Sequence, residues 1–195
     1  MEQGVTQPRM QPPPQTARLI LREFVDEDEE GLLDGLGDPE TNHFMPHPLS
    51  RLEVKDWIVR NQRRYDECGH GLWAVVLRQS GEFLGDCGPV WQEVNGESHV
   101  EIGYHLRRCH WKHGYATEAA SAVTGWAFEN LGVDHVISLI RPQNHPSRRV
   151  AERNRFVLSG YAVWRGFEHC IYRMEAKDFR RRSLSKSGEE SYDQA

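Results

Sequence analysis

Apolar residues recur at two different periods along this chain, and each period predicts one type of element. Alternating apolar and polar positions are typical of half-buried strands, whereas a spacing of three and four is typical of amphipathic helices. Ser50 is well placed to cap the second of these helices. In order, the first half of the pattern predicts a strand at Arg18–Phe24, a helix at Asp26–Leu36, a helix after Ser50, a hairpin of Leu72–Leu77 with Phe83–Val94, and a strand at His99–Leu106.

The second half of the chain begins with the longest predicted helix. Helical spacing from Tyr115 to Leu131 predicts about four to five turns that end near Gly132. The rest of the pattern predicts a strand at Val136–Ile140, a short helix at Ser147–Asn154 and a hairpin of Leu158–Trp164 with Cys170–Glu175. Antiparallel hairpins come first and a strand–helix–strand segment comes later, so the expected fold class is α/β with a mixed, mostly antiparallel sheet and flanking helices.

Composition separates the two ends of the chain from its centre. Residues 1–16 contain four prolines and four glutamines, and residues 180–195 are polar. Neither end has enough apolar surface to offset the entropy of ordering, so both are expected to be disordered extensions of one domain at 17–179.

Charge and cysteine usage narrow the class of protein. The net charge of −5 argues against nucleic acid as a partner. The four cysteines are far apart without a C-x-x-C spacing, which argues against a zinc site. No apolar run approaches the roughly 18 residues of a membrane span, so we expect no membrane partner and a cytoplasmic protein with reduced thiols.

The most informative segment runs from Glu101 to Ala120, where a predicted strand passes through a basic loop into the long helix. The first amides of a helix lack intrahelical acceptors, and with the helix dipole they form a binding site for phosphate groups. Gly114 would let the main chain approach an anion closely. Positive charge at the loop comes from Arg107, Arg108 and Lys112. The segment indicates an anion site; the alternative is a tight strand–helix turn with solvated arginines.

Two motifs within this frame resemble those of a known family. The loop resembles the [Q/R]-x-x-G-x-[G/A] pattern of the GNAT superfamily, here Trp111-Lys112-His113-Gly114-Tyr115-Ala116. The second motif, Asn144-His145-Pro146-Ser147 followed by Phe156, resembles the family's N-x-x-[S/A]…G-F segment. The resemblance covers Thr16 to Phe179 and is strongest to the branch of ribosomal-protein N-terminal acetyltransferases.

The resemblance implies acetyl-CoA as cosubstrate and no metal. Two parallel strands, beginning near His99 and Val136, would splay apart so that the first pairs its main chain with the pantetheine arm. The cofactor-binding residues it implies are Ile102, Tyr104, Leu106, Trp111, Lys112, His113, Gly114, Tyr115, Ala116, Thr117 and Asn144.

Direct transfer to a primary amine in a ternary complex needs a base for the amine and a proton for the departing thiolate. Glu101 is the candidate base, against the alternative of an exposed or ion-paired glutamate, and His105 is the second candidate. The tyrosine that many relatives use as acid is Ala151 here. Ser147 is the candidate donor instead, unless it only satisfies an amide in its helix, and Glu168 is a further, weaker candidate.

The acceptor is left open by the sequence. A protein N-terminus is expected first, and a small-molecule amine such as an aminoglycoside, polyamine or amino acid second. The alternatives of another class are a GNAT-fold module that binds acyl-CoA without catalysis and a structural domain without cofactor. A homodimer through edge strands is compatible with the pattern. Arg155 replaces the family's glycine before Phe156, and Asn154 is expected to take the left-handed conformation in its place.

Overall fold

Seven strands form a single sheet in the computed structural model, which describes residues 10–181. The strands are β1 Leu19–Arg22, β2 Trp73–Leu77, β3 Phe83–Val94, β4 Glu97–Leu106, β5 His135–Ile140, β6 Val157–Trp164 and β7 Phe167–Glu175. The helices with printed bounds are α1 Glu29–Leu36, α2 Arg51–Cys68, α3 Tyr115–Asn130 and α4 His145–Arg153, and residues 176–181 are also helical. The strand order is β1-β2-β3-β4-β5-β7-β6.

Every neighbouring pair of strands is antiparallel except β4 and β5. The predicted α/β class with a mixed, mostly antiparallel sheet is therefore confirmed. The parallel pair is in register at one position only, Glu101 opposite Ile137. Beyond that position the two strands diverge, as expected for the pair of parallel strands that was predicted to splay apart.

Helices α2 and α3 cover opposite faces of the sheet. Asp86 and His105 face each other across β3 and β4 and so share one face, and the indole of Trp57 in α2 donates to Asp86 at 3.0 Å. Trp73 pairs with the residue after Asp86 and projects from the other face. There it packs edge-on against Trp126 of α3, with ring centroids 4.9 Å apart.

The predicted start of α2 is confirmed in detail. The Ser50 side chain accepts from the Glu53 amide, and the Glu53 carboxylate accepts from the Ser50 amide at 2.8 Å. This reciprocal capping box satisfies two of the amides that a helix N-terminus leaves unpaired. The helix ends at Gly69, whose φ of 73° is left-handed, so both ends of α2 are sharply defined.

The chain before β1 differs from the expected disordered extension. Met10 packs on the core, and the Gln11 amide donates to the side chain of Asn130 at 2.9 Å. The Trp126 indole in turn donates to the carbonyl of Gln11 at 3.0 Å. A proline-rich segment thus supplies main-chain partners to polar groups of α3, which the sequence pattern did not show. The predictions for residues 1–9 and 182–195 lie outside the described residues.

The left-handed residue after α4 is Arg155, with φ of 64°, whereas Asn154 has φ of −80°. The expectation that Asn154 would take this conformation was wrong. Asn154 is buried instead, and its side chain donates to the Thr117 carbonyl at 3.1 Å. The hydrogen bond ties the end of α4 to the first turn of α3, so Asn154 is not free to take the left-handed conformation in place of Arg155.

Replacing Arg155 by glycine is expected to stabilise the fold. A left-handed conformation costs a non-glycine residue about 1–2 kcal/mol, and the greater chain entropy of glycine offsets part of that gain. The net expectation is an increase of about 0.5–1 kcal/mol in the free energy of unfolding, measured by urea denaturation. Arg149→Gly, at an exposed position inside α4, is the matched control and should lower it by about 1 kcal/mol. A loss of stability in Arg155→Gly would contradict this account.

Candidate active site

The edge of β4 that faces β5 has no strand partner where the two strands diverge. The carbonyl of Ile102 accepts from the Ser138 hydroxyl at 2.9 Å, and that of Leu106 accepts from the Trp111 indole at 2.8 Å. Main-chain groups alternate along a strand, so Ile102, Tyr104 and Leu106 all turn their amides and carbonyls to this side. The parallel ladder ends at Glu101, which leaves the groups of Tyr104 without a strand partner there. An extended chain could pair with this edge.

The loop after β4 brings the main chain of α3 to the same gap. Gly114 is the N-cap of α3 with φ of 82°, and Lys112 is also left-handed with φ of 64°. The first hydrogen bond of the helix runs from the Glu118 amide to the Gly114 carbonyl at 3.0 Å. Within residues 10–181, the amides of Tyr115, Ala116 and Thr117 donate a hydrogen bond to no acceptor. This donor set fits a diphosphate, because unpaired amides and the helix dipole both favour negative charge.

Arg18 braces the loop, and the sequence reasoning missed it. Its guanidinium donates to the His113 carbonyl at 3.0 Å and to the Glu118 carboxylate at 2.6 Å. It also lies 4.6 Å from the ring centroid of Tyr115, which stacks on His113. No local signal marks Arg18, because its partners are about a hundred residues further along the chain.

We expected three basic residues to surround the loop with positive charge, and this expectation was wrong for two of them. Arg107 donates to Asp34 at 3.0 Å, and Arg108 is paired with Glu40. Both charges are therefore balanced by acidic residues of the α1 region. Lys112 is exposed, and no carboxylate of the described chain pairs with it. The binding capacity of the loop rests on main-chain amides rather than on a cluster of arginines.

The start of α4 presents Ser147 to the same region. Asn144 caps the helix, and its side-chain oxygen accepts from the Ser147 amide at 3.1 Å. The Tyr104 hydroxyl donates to the Ser147 carbonyl at 2.9 Å, which links β4 to α4 across the gap. The capping oxygen is thus that of Asn144. The Ser147 hydroxyl bonds to no other described residue, so the alternative capping role for Ser147 is not seen.

Glu101 lies at the point of divergence and is held there by two hydrogen bonds. Its carboxylate accepts from the Gln92 amide group at 2.9 Å and from the Leu139 main-chain amide at 3.3 Å. Burial raises the pKa of Glu101, and these two hydrogen bonds oppose that rise. Among the described residues no lysine or arginine forms an ion pair with it. Neither the exposed nor the ion-paired alternative describes this glutamate.

His105 shares the face of Glu101 and is oriented by a buried carboxylate. Its Nδ1 lies 2.7 Å from Asp86, which is fully buried and also accepts from the Trp57 indole. Desolvation lowers the pKa of His105, but the charges of Asp86 and Glu101 outweigh it and the pKa is raised. Because Nδ1 faces an acceptor, its proton sits there and Nε2 is the ring nitrogen left for other partners. Asp86 and Trp57 had not been predicted as site residues.

Strand register decides which other predicted residues reach this face. Trp164 pairs with Phe167 and shares the face of Glu101 through β7, whereas Glu168 lies on the opposite face and is exposed. Glu168 therefore does not share the face of Glu101. Trp91 and Tyr161 also project from the opposite face.

Within residues 10–181, no group of three or more His, Cys, Asp and Glu side chains is arranged to hold a metal ion. No helix of the described chain combines the length and hydropathy needed to cross a bilayer. The four cysteines are free thiols, of which Cys87 and Cys170 are buried.

Comparison with known proteins agrees with this geometry. Residues 18–157 match the family model described as an acetyltransferase (GNAT) domain. The uncharacterized protein YkkB of Bacillus subtilis (strain 168) is 36% identical over 139 residues, which are 71% of this chain and 81% of YkkB. The crystal structure of an acetyltransferase from Agrobacterium tumefaciens str. C58 has a TM-score of 0.71 at 29% identity and covers 83% of this chain and 92% of its own.

Mycobacterium smegmatis RimJ, solved in complex with CoA-disulfide, covers 87% of this chain and 89% of its own with a TM-score of 0.66. At 17% identity this likeness shows the shared fold alone. The family model covers well over half of the chain, and the splayed strands and the unpaired helix amides are the features that the resemblance implied. This chain belongs to the GNAT acetyltransferases and is an acetyl-CoA-dependent N-acetyltransferase.

Proposed function

We propose that this enzyme acetylates the α-amino group of a peptide N-terminus by direct attack in a ternary complex. The observation that carries the proposal is the position of Glu101. It lies at the last pair before β4 and β5 diverge, on the face that α2 covers. A carboxylate at the base of the gap is within reach of an amine that enters from that face.

The residues proposed to hold acetyl-CoA follow the path of the gap. Main-chain groups of Ile102, Tyr104 and Leu106 pair with the pantetheine arm, as an added strand would. The loop from Trp111 to Thr117 receives the diphosphate on its unpaired amides, and Asn144 borders the arm at the start of α4. When bound, acetyl-CoA supplies an acetyl thioester that is reactive toward amines.

Glu101 is proposed as the base that takes a proton from the attacking ammonium, directly or through a water molecule. Its raised pKa moves it toward the operating pH, which improves a general base. His105 stays the second candidate, since Asp86 fixes its tautomer. The Asp86–Trp57 contact keeps that imidazole on the cleft face in either case.

Ser147 is proposed as the proton donor to the departing thiolate. Asn144 holds its amide and Tyr104 holds its carbonyl, which positions the residue from both sides. Its hydroxyl has no partner in the described chain and is available to a ligand. Ala151 is buried and has no donor, so the residue that many relatives use for this step is absent.

A peptide α-amine suits this machinery better than a lysine side chain. Its pKa is near 8, so a useful fraction is neutral at pH 7, whereas the lysine pKa is about 10.4. The cleft is also open: His105 is 30% exposed in spite of its buried partner. An open cleft admits an extended chain.

The proposal is tested by release of free CoA thiol from acetyl-CoA with peptides that have free or blocked N-termini, and with small amines. We expect turnover with free N-termini only, and the same peptides without internal lysine should serve equally well. Turnover with small amines but with no peptide would contradict the acceptor. Tight acetyl-CoA binding without any turnover would instead favour the non-catalytic module. The cytoplasmic location and the homodimer stay predictions.

A further inference from the structure

One face of α2 carries a row of residues toward the cleft. Trp57, Arg60, Asn61 and Arg64 are spaced by three and four and so share one side of the helix. Trp57 contacts His105 edge-on, with ring centroids 5.5 Å apart, and the Arg60 guanidinium lies 5.0 Å from the Trp57 ring centroid. Arg64 donates to the Asn61 side chain at 3.2 Å, which fixes its direction along the same row.

A third arginine lies at the turn between the last two strands, toward the other edge of the sheet. Arg165 is at the turn between β6 and β7 and has a left-handed backbone with φ of 49°. Its guanidinium lies 4.3 Å from the ring centroid of Trp164, which is on the face of Glu101. The charge of Arg165 lowers the pKa of Arg60, of Arg64 and of Glu101, in keeping with its place at the end of β6, next to a residue on the face of Glu101. We call Arg60, Arg64 and Arg165 the arginine cluster.

None of the three arginines in the cluster forms an ion pair with a carboxylate of the described chain. Arg18, Arg22, Arg51, Arg63, Arg107, Arg108 and Arg173 each form an ion pair with a carboxylate. Among the described residues no carboxylate lies within ion-pair distance of the arginine cluster, and Asp56 is the acidic residue that acts on Arg60 from further away. Desolvation lowers the pKa of Arg60 and Arg64, and the neighbouring arginines add to that effect.

This arrangement costs stability in the free protein. Like charges four residues apart on a helix repel each other, and Arg64 is half-buried, so its charge is also partly removed from water. The protein as a whole is acidic, with a net charge of −5, so the cluster is a local reversal of sign beside the proposed base. A negatively charged ligand would relieve both costs.

We infer that the acceptor is an acidic peptide N-terminus, whose aspartate or glutamate side chains after the acetylated residue bind the arginine cluster. This inference rests on the proposed function and names its substrate class. Arg60 and Arg64 are one helical turn apart, about 6 Å along the axis, which matches carboxylates on alternate residues of an extended peptide, about 6.6 Å apart on one side. Polyamines and aminoglycosides would meet three like charges, so the cluster disfavours both of these small cations as acceptors.

The test compares three N-terminal peptides that differ in charge alone. One has Asp and Glu after the first residue, the second has their neutral isosteres Asn and Gln, and the third has Lys. With the full-length protein we expect kcat/KM for the acidic peptide to exceed that of the neutral one by about tenfold, mostly through KM. The preference should shrink between about 0.1 M and about 1 M salt, as the Debye length falls from about 10 Å to about 3 Å.

Substitutions in α2 test whether the arginine cluster causes the preference for the acidic peptide. The double change Arg60→Ala with Arg64→Ala should bring the ratio of acidic to neutral peptide close to one. The double change Lys55→Ala with Arg63→Ala removes an equal charge from the same helix, at residues that pair with Glu29 and Glu67, each at 3.6 Å, and should keep the preference. Far-ultraviolet circular dichroism checks that all variants fold.

Binding of the same peptides, by anisotropy of a C-terminal fluorophore, separates the two proposals. Acetylation of all three peptides without charge preference would overturn the acidic acceptor and leave the proposed function standing. Charge-selective binding without acetylation would sustain the acidic ligand and overturn the peptide acetyltransferase. Neither binding nor acetylation of any peptide would overturn both. A preference that survives the double change would overturn the arginine cluster as its source.

Discussion

Glutamate in place of Gly114 is expected to abolish acetyl-CoA binding. Gly114 is left-handed with φ of 82°, so any side chain there adds about 1 kcal/mol of strain. The larger effect is on the ligand, because a carboxylate at the N-cap would compete with the diphosphate for the amides of Tyr115 and Ala116. A Cβ at this position would lie 3.5 Å from Arg18, so the new charge could also engage the residue that braces the loop. We expect affinity to fall by about 100-fold or more, as measured by calorimetry.

Gly132 provides the matched control for this prediction. It follows the other end of α3, is left-handed with φ of 64°, and has open space where a Cβ would be. Gly132→Glu should cost similar backbone strain without changing acetyl-CoA affinity. If Gly114→Glu bound acetyl-CoA as tightly as Gly132→Glu, the loop would not be the diphosphate site.

The elements that position the site could be predicted from the sequence because their signals are local. The alternation in β4, the helical spacing of α3 and the glycine between them lie within one segment of the chain. The family motif rests on main-chain amides, so it survives the presence of Trp111 where glutamine or arginine is usual. Hairpins β2–β3 and β6–β7 were predicted for the same reason, since each joins neighbouring strands through a short turn.

The surroundings of the site could not be predicted because they depend on residues far apart in the sequence. Asp86 reaches His105 only through the register of β3 and β4, and Arg18 meets Glu118 across 100 residues. For Arg107 and Arg108, the sequence suggested a contribution to the site that the folded protein does not support. Their positive charge was visible in the sequence, but their acidic partners in the α1 region were not. Basic residues near a motif are therefore weaker evidence for an anion site than the main-chain amides of the motif itself.

The change Glu101→Gln is expected to lower kcat by about 100- to 1000-fold while leaving acetyl-CoA affinity nearly unchanged. The amide is nearly isosteric, and its oxygen can still accept from the main-chain amide of Leu139. The Gln92 side chain can rotate to present its own oxygen instead of its nitrogen. The substitution thus removes the basic group and keeps the contacts that hold β4 to β5. Thermal unfolding should confirm that the fold is retained.

The pH dependence of kcat/KM identifies the effect as the loss of a base. The pKa of Glu101 is raised by burial, so the carboxyl is protonated and inactive below that pKa, and the rate rises with pH through it. This acid limb should vanish in Glu101→Gln, whereas the later rise near pH 8, from the peptide α-amine, should stay. Ser147→Ala is the comparison: it should lower kcat and keep the acid limb, since it removes a proton donor and no base. An acid limb that persists in Glu101→Gln would transfer the role of base to His105, whose raised pKa would then set its midpoint.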